Sequence, residues 1–185
     1  MDKKEFEQPE MLEIENTEVA PVQQPKEEKK NETIESIEDL NQLAAELKEA
    51  GDKKHLFKLA EQYGIDKEDV EDYLDGVVEE FATLLMAAVG KLKHEGAVLG
   101  LRGLVKDWAE CVEQMCTDDE ELCKAVLKSD RKLVECMGRA LKYAFENKAK
   151  LNDDIVKAAK LDPPIYLGVP GKAELKKLIT DYYMK

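Results

Sequence analysis

The chain is nearly without histidine: His55 and His94 are the only two in 185 residues. Its four cysteines, Cys111, Cys116, Cys123 and Cys136, are spaced C-x4-C-x6-C-x12-C and contain no C-x2-C pair. Zinc and iron–sulfur sites are usually built on such close pairs, so no metal site and no cofactor is expected. Gly96, Gly100 and Gly103 are followed by no Gly-Lys-Ser/Thr, so they are not a phosphate loop. The acidic run Asp118–Glu121 suits the positive end of a helix and sits in no EF-hand pattern. No nucleophile motif or acid/base pair stands out, and the expectation is a protein that is not an enzyme. No apolar run approaches the roughly 18 residues of a membrane span. The N-terminus is acidic and polar rather than basic and then apolar, so no secretory signal is expected. A cytoplasmic location with free thiols follows. Cys123 and Cys136 are expected in the core, with Cys111 and Cys116 nearer the surface.

What the chain has in excess is carboxylate. It carries 41 Asp and Glu against 28 Lys and Arg, a net charge of −13. The excess is uneven. Residues 1–123 hold 33 acids and 14 bases, whereas residues 124–185 hold 8 acids and 14 bases. A front of −19 on a rear of +6 points to charged partners, although solvated helix faces account for the same counts.

The apolar fraction, 43%, suffices for one core and a small satellite. Periodicity near 3.6 dominates, and the expected fold is all-α: a helical bundle with a small N-terminal helix-turn-helix-like module and a disordered acidic tail. The tail is residues 1–33, with 10 acids, 5 bases, three prolines and no sustained apolar period. Within it, Met11, Leu12 and Ile14 form a short apolar island. The module is residues 34–76. Ser36 and Asp52 are placed as N-caps, Gly51 and Gly64 as stops, and Asp66 caps a third helix before Gly76. The bundle is residues 77–185. Val77–Lys93 reads as its most apolar helix, broken at Gly96, and a second runs from Ala97 to Met115. Thr117 and Glu120 form a capping box. From Asp130 a helix gathers Leu133, Val134, Met137, Ala140, Leu141, Ala144 and Phe145 on one arc. Asn152 caps a short helix. Segment 162–170, with Pro163 and Pro164, is expected to run extended across the core, and Gly171–Met184 is the last helix.

Ala60, Gly64, Ile65, Val70 and Leu74 have the spacing of a DNA-reading helix-turn-helix. The charge is wrong for one. The second helix and its extension carry Asp66, Glu68, Asp69, Glu71, Asp72, Asp75, Glu79 and Glu80 against Lys67 alone. Recognition of a duplex needs cations for the phosphates. The same row of carboxylates imitates phosphate spacing and suits a basic groove built for nucleic acid. In the rear, Arg131, Lys132, Arg139, Lys142, Lys148 and Lys150 are candidate nucleic-acid contacts, interleaved with acids.

A small acidic helical chain with GIDKEDVEDYLDG and CMGRALKYAF and no catalytic motif resembles, over residues 52–185, proteins carried by phages and mobile elements. It is similar to some anti-CRISPR proteins. The resemblance implies binding to an RNA-guided effector nuclease, whose heteroduplex channel is basic. The expected role is thus a non-enzymatic interaction protein, an inhibitor with a basic nucleic-acid-binding protein as partner. The alternative is a DNA-binding regulator of a mobile element that uses the basic C-terminal helices.

Overall fold

In a computed structural model, residues 34–185 are described. The tail expected over residues 1–33, with Met11, Leu12 and Ile14, lies outside the described residues. The fold is all-α. In order come α1 (Ile37–Glu49), α2 (Lys53–Gln62), α3 (Lys67–Asp75), α4 (Leu84–Val98), α5 (Gly103–Asp118), α6 (Glu120–Leu127), α7 (Leu133–Glu146), β1 (Ala149–Lys150), α8 (Asp153–Ala158), β2 (Tyr166–Leu167) and α9 (Lys172–Tyr183).

Local capping chemistry sets the first helices. The Ser36 hydroxyl accepts from the Asp39 N–H at 3.2 Å, and the Asp39 carboxylate accepts from the Ser36 N–H at 3.0 Å. The Asp52 carboxylate accepts from the His55 N–H at 3.2 Å to start α2. Gly51, Gly64 and Gly76 follow their helices in the left-handed conformation, at φ +68, +56 and +76. Asp66 differs from expectation. It stands at the N-cap position of α3, but its side chain takes no bond from the first turn. That turn is exposed, so solvent can meet its N–H groups.

The largest departure lies between Gly76 and Leu84. Apolar spacing predicts one helix from Val77, yet residues 77–82 are non-helical and α4 begins after Thr83, whose hydroxyl accepts from the Met86 N–H at 3.3 Å. Two features override the spacing. Gly76 turns the chain out of the α3 direction. The Asn41 side-chain amide then takes both backbone groups of Ala82, accepting from its N–H at 3.0 Å and donating to its C=O at 3.1 Å. Val77 is left 70% exposed, whereas Phe81 is buried. At its other end α4 passes through Gly96, which packs against Leu101 and Leu133, and the left-handed stop falls at Gly100.

Later boundaries shift for similar reasons. Thr117 lies inside α5, with its hydroxyl donating to the Glu113 C=O at 3.4 Å, and Asp119 caps α6 by accepting from the Leu122 N–H at 3.1 Å. Because α6 folds back on α5 at once, Cys116 is buried rather than near the surface, and the Cys123 thiol donates to its C=O at 3.0 Å. α7 begins at Leu133, not Asp130. The Lys91 ammonium donates to the C=O groups of Val126, Lys128 and Arg131 at 2.7, 2.9 and 3.2 Å and holds that stretch as a turn. The apolar arc of α7 is only partly used: Leu133, Met137 and Ala140 are buried, but Val134, Leu141 and Phe145 are not. Tyr166 and Leu167 do run extended, though along the surface. They pair antiparallel with β1 in the register Ala149↔Leu167 and Lys150↔Tyr166, and both are more than half exposed.

α4 is the central helix and packs against α2, α5, α6 and α7. The continuous core spans Leu40 and Leu56 in the first helices, Leu92 in α4, and Leu133 and Ile179 in the last ones. The described residues form one compact unit. The α2–α3 turn meets α4 by backbone contact. A Cβ at Gly90 would lie 1.8 Å from the Tyr63 carbonyl oxygen, and one at Gly64 would lie 2.7 Å from the Gly90 Cα. Gly90→Ala must therefore separate the turn from α4. The expected cost is about 2–3 kcal/mol of unfolding free energy by urea titration, despite the better helix propensity of Ala.

Burial also predicts sensitivity to alkali. Desolvation pushes the Tyr63 hydroxyl and the Cys116 and Cys136 thiols up to about 12, and it raises Tyr183 further. Each folded value lies above the unfolded one, so the stability is intact below the unfolded values near 9 and 10 and is lost as pH rises through the folded ones. Burial lowers Lys91, which acts the other way but is a single group. The expected result is cooperative unfolding between about pH 10 and 12, with tyrosinate absorbance appearing together with loss of helical circular dichroism.

Candidate functional site

The eight acidic residues singled out by sequence are all on the surface of one region. Seven are exposed and Asp69 is half-buried. Among the described residues, none of the eight has a Lys, Arg or His nitrogen within 4.0 Å. Some carboxylates elsewhere are paired, with Lys106 3.3 Å from Glu110 and Lys124 3.0 and 2.8 Å from Glu120 and Glu121, while others, such as Glu38, Glu61 and Asp118, have no such cation among the described residues.

The fold sorts the eight into two groups. Asp69 and Asp72 from α3 meet Glu79 and Glu80 from the non-helical segment around a groove of about 450 Å³. Val78, Phe81, Ala82 and Met86 supply its apolar surface. Asp66, Glu68, Glu71 and Asp75 are on α3 or at its cap but do not line the groove. Four carboxylates around an apolar floor concentrate negative potential at one concavity, and the low-dielectric wall strengthens it.

Three contacts hold the groove's walls. Phe81 packs edge-on against Tyr73 with ring centroids 5.4 Å apart and ties the segment to α3. Asn41 fixes the segment's end through Ala82. The Lys48 ammonium donates to the Tyr73 C=O at 2.5 Å and stands 4.3 Å from the centre of its ring, which satisfies a carbonyl at the end of α3. Burial, and secondarily the charge of Glu49, raises the Tyr73 hydroxyl above its ordinary value. α1 thus works as a brace. Its sequence signal is faint: Asn41 beside the buried Leu40 and Lys48 beside the partly buried Leu47.

The candidate basic contacts are less available than their number implies. The guanidinium groups of Arg131 and Arg139 stand over the Tyr182 ring at 5.6 and 4.8 Å. Arg131 also lies 3.7 Å from Asp130. Lys142 is 3.7 Å from Glu146, Lys150 is 3.0 Å from Asp153, and Lys148 lies 4.6 Å over Phe145. Lys132 has no such partner among the described residues; its backbone N–H donates to the Tyr182 hydroxyl at 2.8 Å. These cations are spread along α7, its cap and β1 rather than gathered in one groove. Lys54, Lys58 and Lys67 line a second depression of about 550 Å³ with Phe57 and Ile65, interleaved with Glu61 and Asp66. The run KKHLFK was the available signal for it.

Among the described residues, no group of three or more His, Cys, Asp or Glu is arranged to hold a metal ion. No protein-family model, no curated protein and no solved structure matches the chain.

Asn41→Ala removes both bonds to Ala82. A loss of about 1–2 kcal/mol is expected. Amide hydrogen exchange should speed up at residues 77–83 while the amides of α6 and α9 keep their protection, which locates the effect at the groove.

Proposed function

We propose that the protein is a non-enzymatic inhibitor of a nucleic-acid-binding effector, with an RNA-guided CRISPR nuclease as the leading partner. It seats the acidic groove on a basic channel and so competes with the phosphate backbone that the channel is built to hold. The observation that carries this reading is the set of unpaired carboxylates Asp69, Asp72, Glu79 and Glu80 around an apolar floor. A solvated acidic face needs neither an apolar floor nor a braced wall. The carboxylates give orientation and a fast approach, and the floor contributes buried apolar area once docked. The DNA-binding alternative draws less support, because five of its six cations already have an intramolecular partner.

The test is a cleavage assay with the purified effector, guide and target DNA, titrated with the protein at two salt concentrations. Combined reversal of Asp69, Asp72 and Glu79 to Lys is expected to weaken inhibition at least about 100-fold and to reduce its salt dependence, since each lost rim pair is worth about 1 kcal/mol or more once desolvated. Reversal of Glu68 and Glu71, outside the groove, should change it only a few-fold. Inhibition indifferent to the first set, or equally sensitive to the second, contradicts groove docking.

A further inference from the structure

α7 turns an apolar seam toward solvent. Val134, Leu141 and Phe145 are 49%, 48% and 64% exposed. Gly138 lies between them, and a Cβ built on it meets nothing within 4 Å. The four positions are spaced by four, three and four residues. That is the contact spacing of a helix in a two-helix coil. It also reads the same in either direction. A copy of α7 laid antiparallel across the seam places Val134 opposite Phe145 and Gly138 opposite Leu141. Each large side chain then faces a smaller partner, and Leu141 projects into the room that Gly138 leaves.

Charge selects that direction. Glu135 and Lys142 are seven residues apart and flank the same side of the seam. In an antiparallel pair Glu135 of each copy faces Lys142 of the other. In a parallel pair each of the two would instead face the partner's other flank five residues earlier: Glu135 would meet Asp130, a like charge that lies before α7, and Lys142 would meet Met137, so neither charge would be matched. Among the described residues Glu135 has no cation within 4.0 Å, and one of its oxygens accepts from the Tyr182 hydroxyl at 3.0 Å. Lys142 is 3.7 Å from Glu146 in an exposed pair of the kind worth little on its own, so docking shares Lys142 between Glu146 and Glu135 of the other copy.

The seam continues onto α4. Val98 and Leu99, 73% and 42% exposed, form with Val134 a depression of about 290 Å³. Val134, which lines it together with His94, Glu95 and Lys132, is the residue that Phe145 of an antiparallel copy would face. We propose that a second copy of this chain docks on α7 across a two-fold axis between Arg139 and Ala140, with Phe145 of each copy entering the depression of Val98, Leu99 and Val134 on the other. The interface is isologous, as a two-fold dimer requires. α7 is only about 20 Å long, so the contact falls at the small end of specific interfaces and the dimer is weak and concentration-dependent.

Sedimentation velocity of the full chain over about 5–500 μM tests this, a span chosen for a micromolar dissociation constant. The weight-average mass is expected to rise toward twice that of the chain. Gly138→Gln adds a side chain in open space, so the helical circular dichroism should be unchanged, while association weakens at least about tenfold by occupying the room for Leu141. Glu135→Lys and Lys142→Glu should each weaken self-association, and an equimolar mixture of the two variants should associate more tightly than either alone, because their charges are complementary only in the mixed antiparallel pair. A monomer across the whole range overturns the proposal. So does a dimer indifferent to Gly138→Gln, or a mixture no tighter than its components.

Discussion

The close approach of Gly64 and Gly90 sets the geometry on which the rest of the molecule depends. Neither position has room for a side chain, and in both the obstruction is backbone. The contact presses the turn between α2 and α3 onto the central helix. α3 is thereby held at a fixed distance from the start of α4, and the six residues of 77–82 must bridge that gap without forming helix. The groove is the space this bridge encloses. Its acidity comes from composition, but its existence comes from a steric constraint at a distance, in the turn before α3 and in the middle of α4.

Polar side chains complete the arrangement by satisfying backbone groups where helices end. Asn41 substitutes for a strand partner at Ala82, Lys48 serves the end of α3, and Lys91 collects three carbonyls in the last turn of α6 and just beyond it. The four N–H and four C=O groups that each helix leaves unpaired are expensive to bury. Long side chains from neighbouring helices meet part of that demand here and fix the connecting segments in the process. Lys91 is the costliest of the three, since burial disfavours its charge, and its three carbonyl acceptors offset that.

Much of the fold was legible because it is written locally. Ser36 with Asp39, Asp52, Asn152, and the left-handed glycines at 51, 64 and 76 act within a few residues and need no tertiary partner. Failures cluster where a distant group wins. Val77, Val78 and Phe81 have helical spacing, but Asn41 and Gly76 unwind them. Asp130 is a reasonable cap, but Lys91 reaches the carbonyls around it first. Val134, Leu141 and Phe145 fit the buried arc of α7, yet α4, α5 and α9 cover only part of that arc. The acidic residues were legible as a set. Their division was not: membership of the groove depends on a bridge that spacing alone assigns to a helix. The basic candidates were legible as charges, while their engagement with Tyr182, Phe145, Glu146 and Asp153 depends on tertiary contacts.

The central claim is that the acidic groove is a docking site rather than one solvated face among several. The most direct measurement is an NMR titration of the protein with a short Lys/Arg peptide carrying a single leucine. The account predicts saturable shift changes concentrated at Asp69, Asp72, Val78, Glu79, Glu80 and Met86, tighter at low salt and weakened when the leucine is replaced by serine. Changes spread equally over Glu38, Asp118 and the other exposed acids, with no dependence on the leucine, would contradict it.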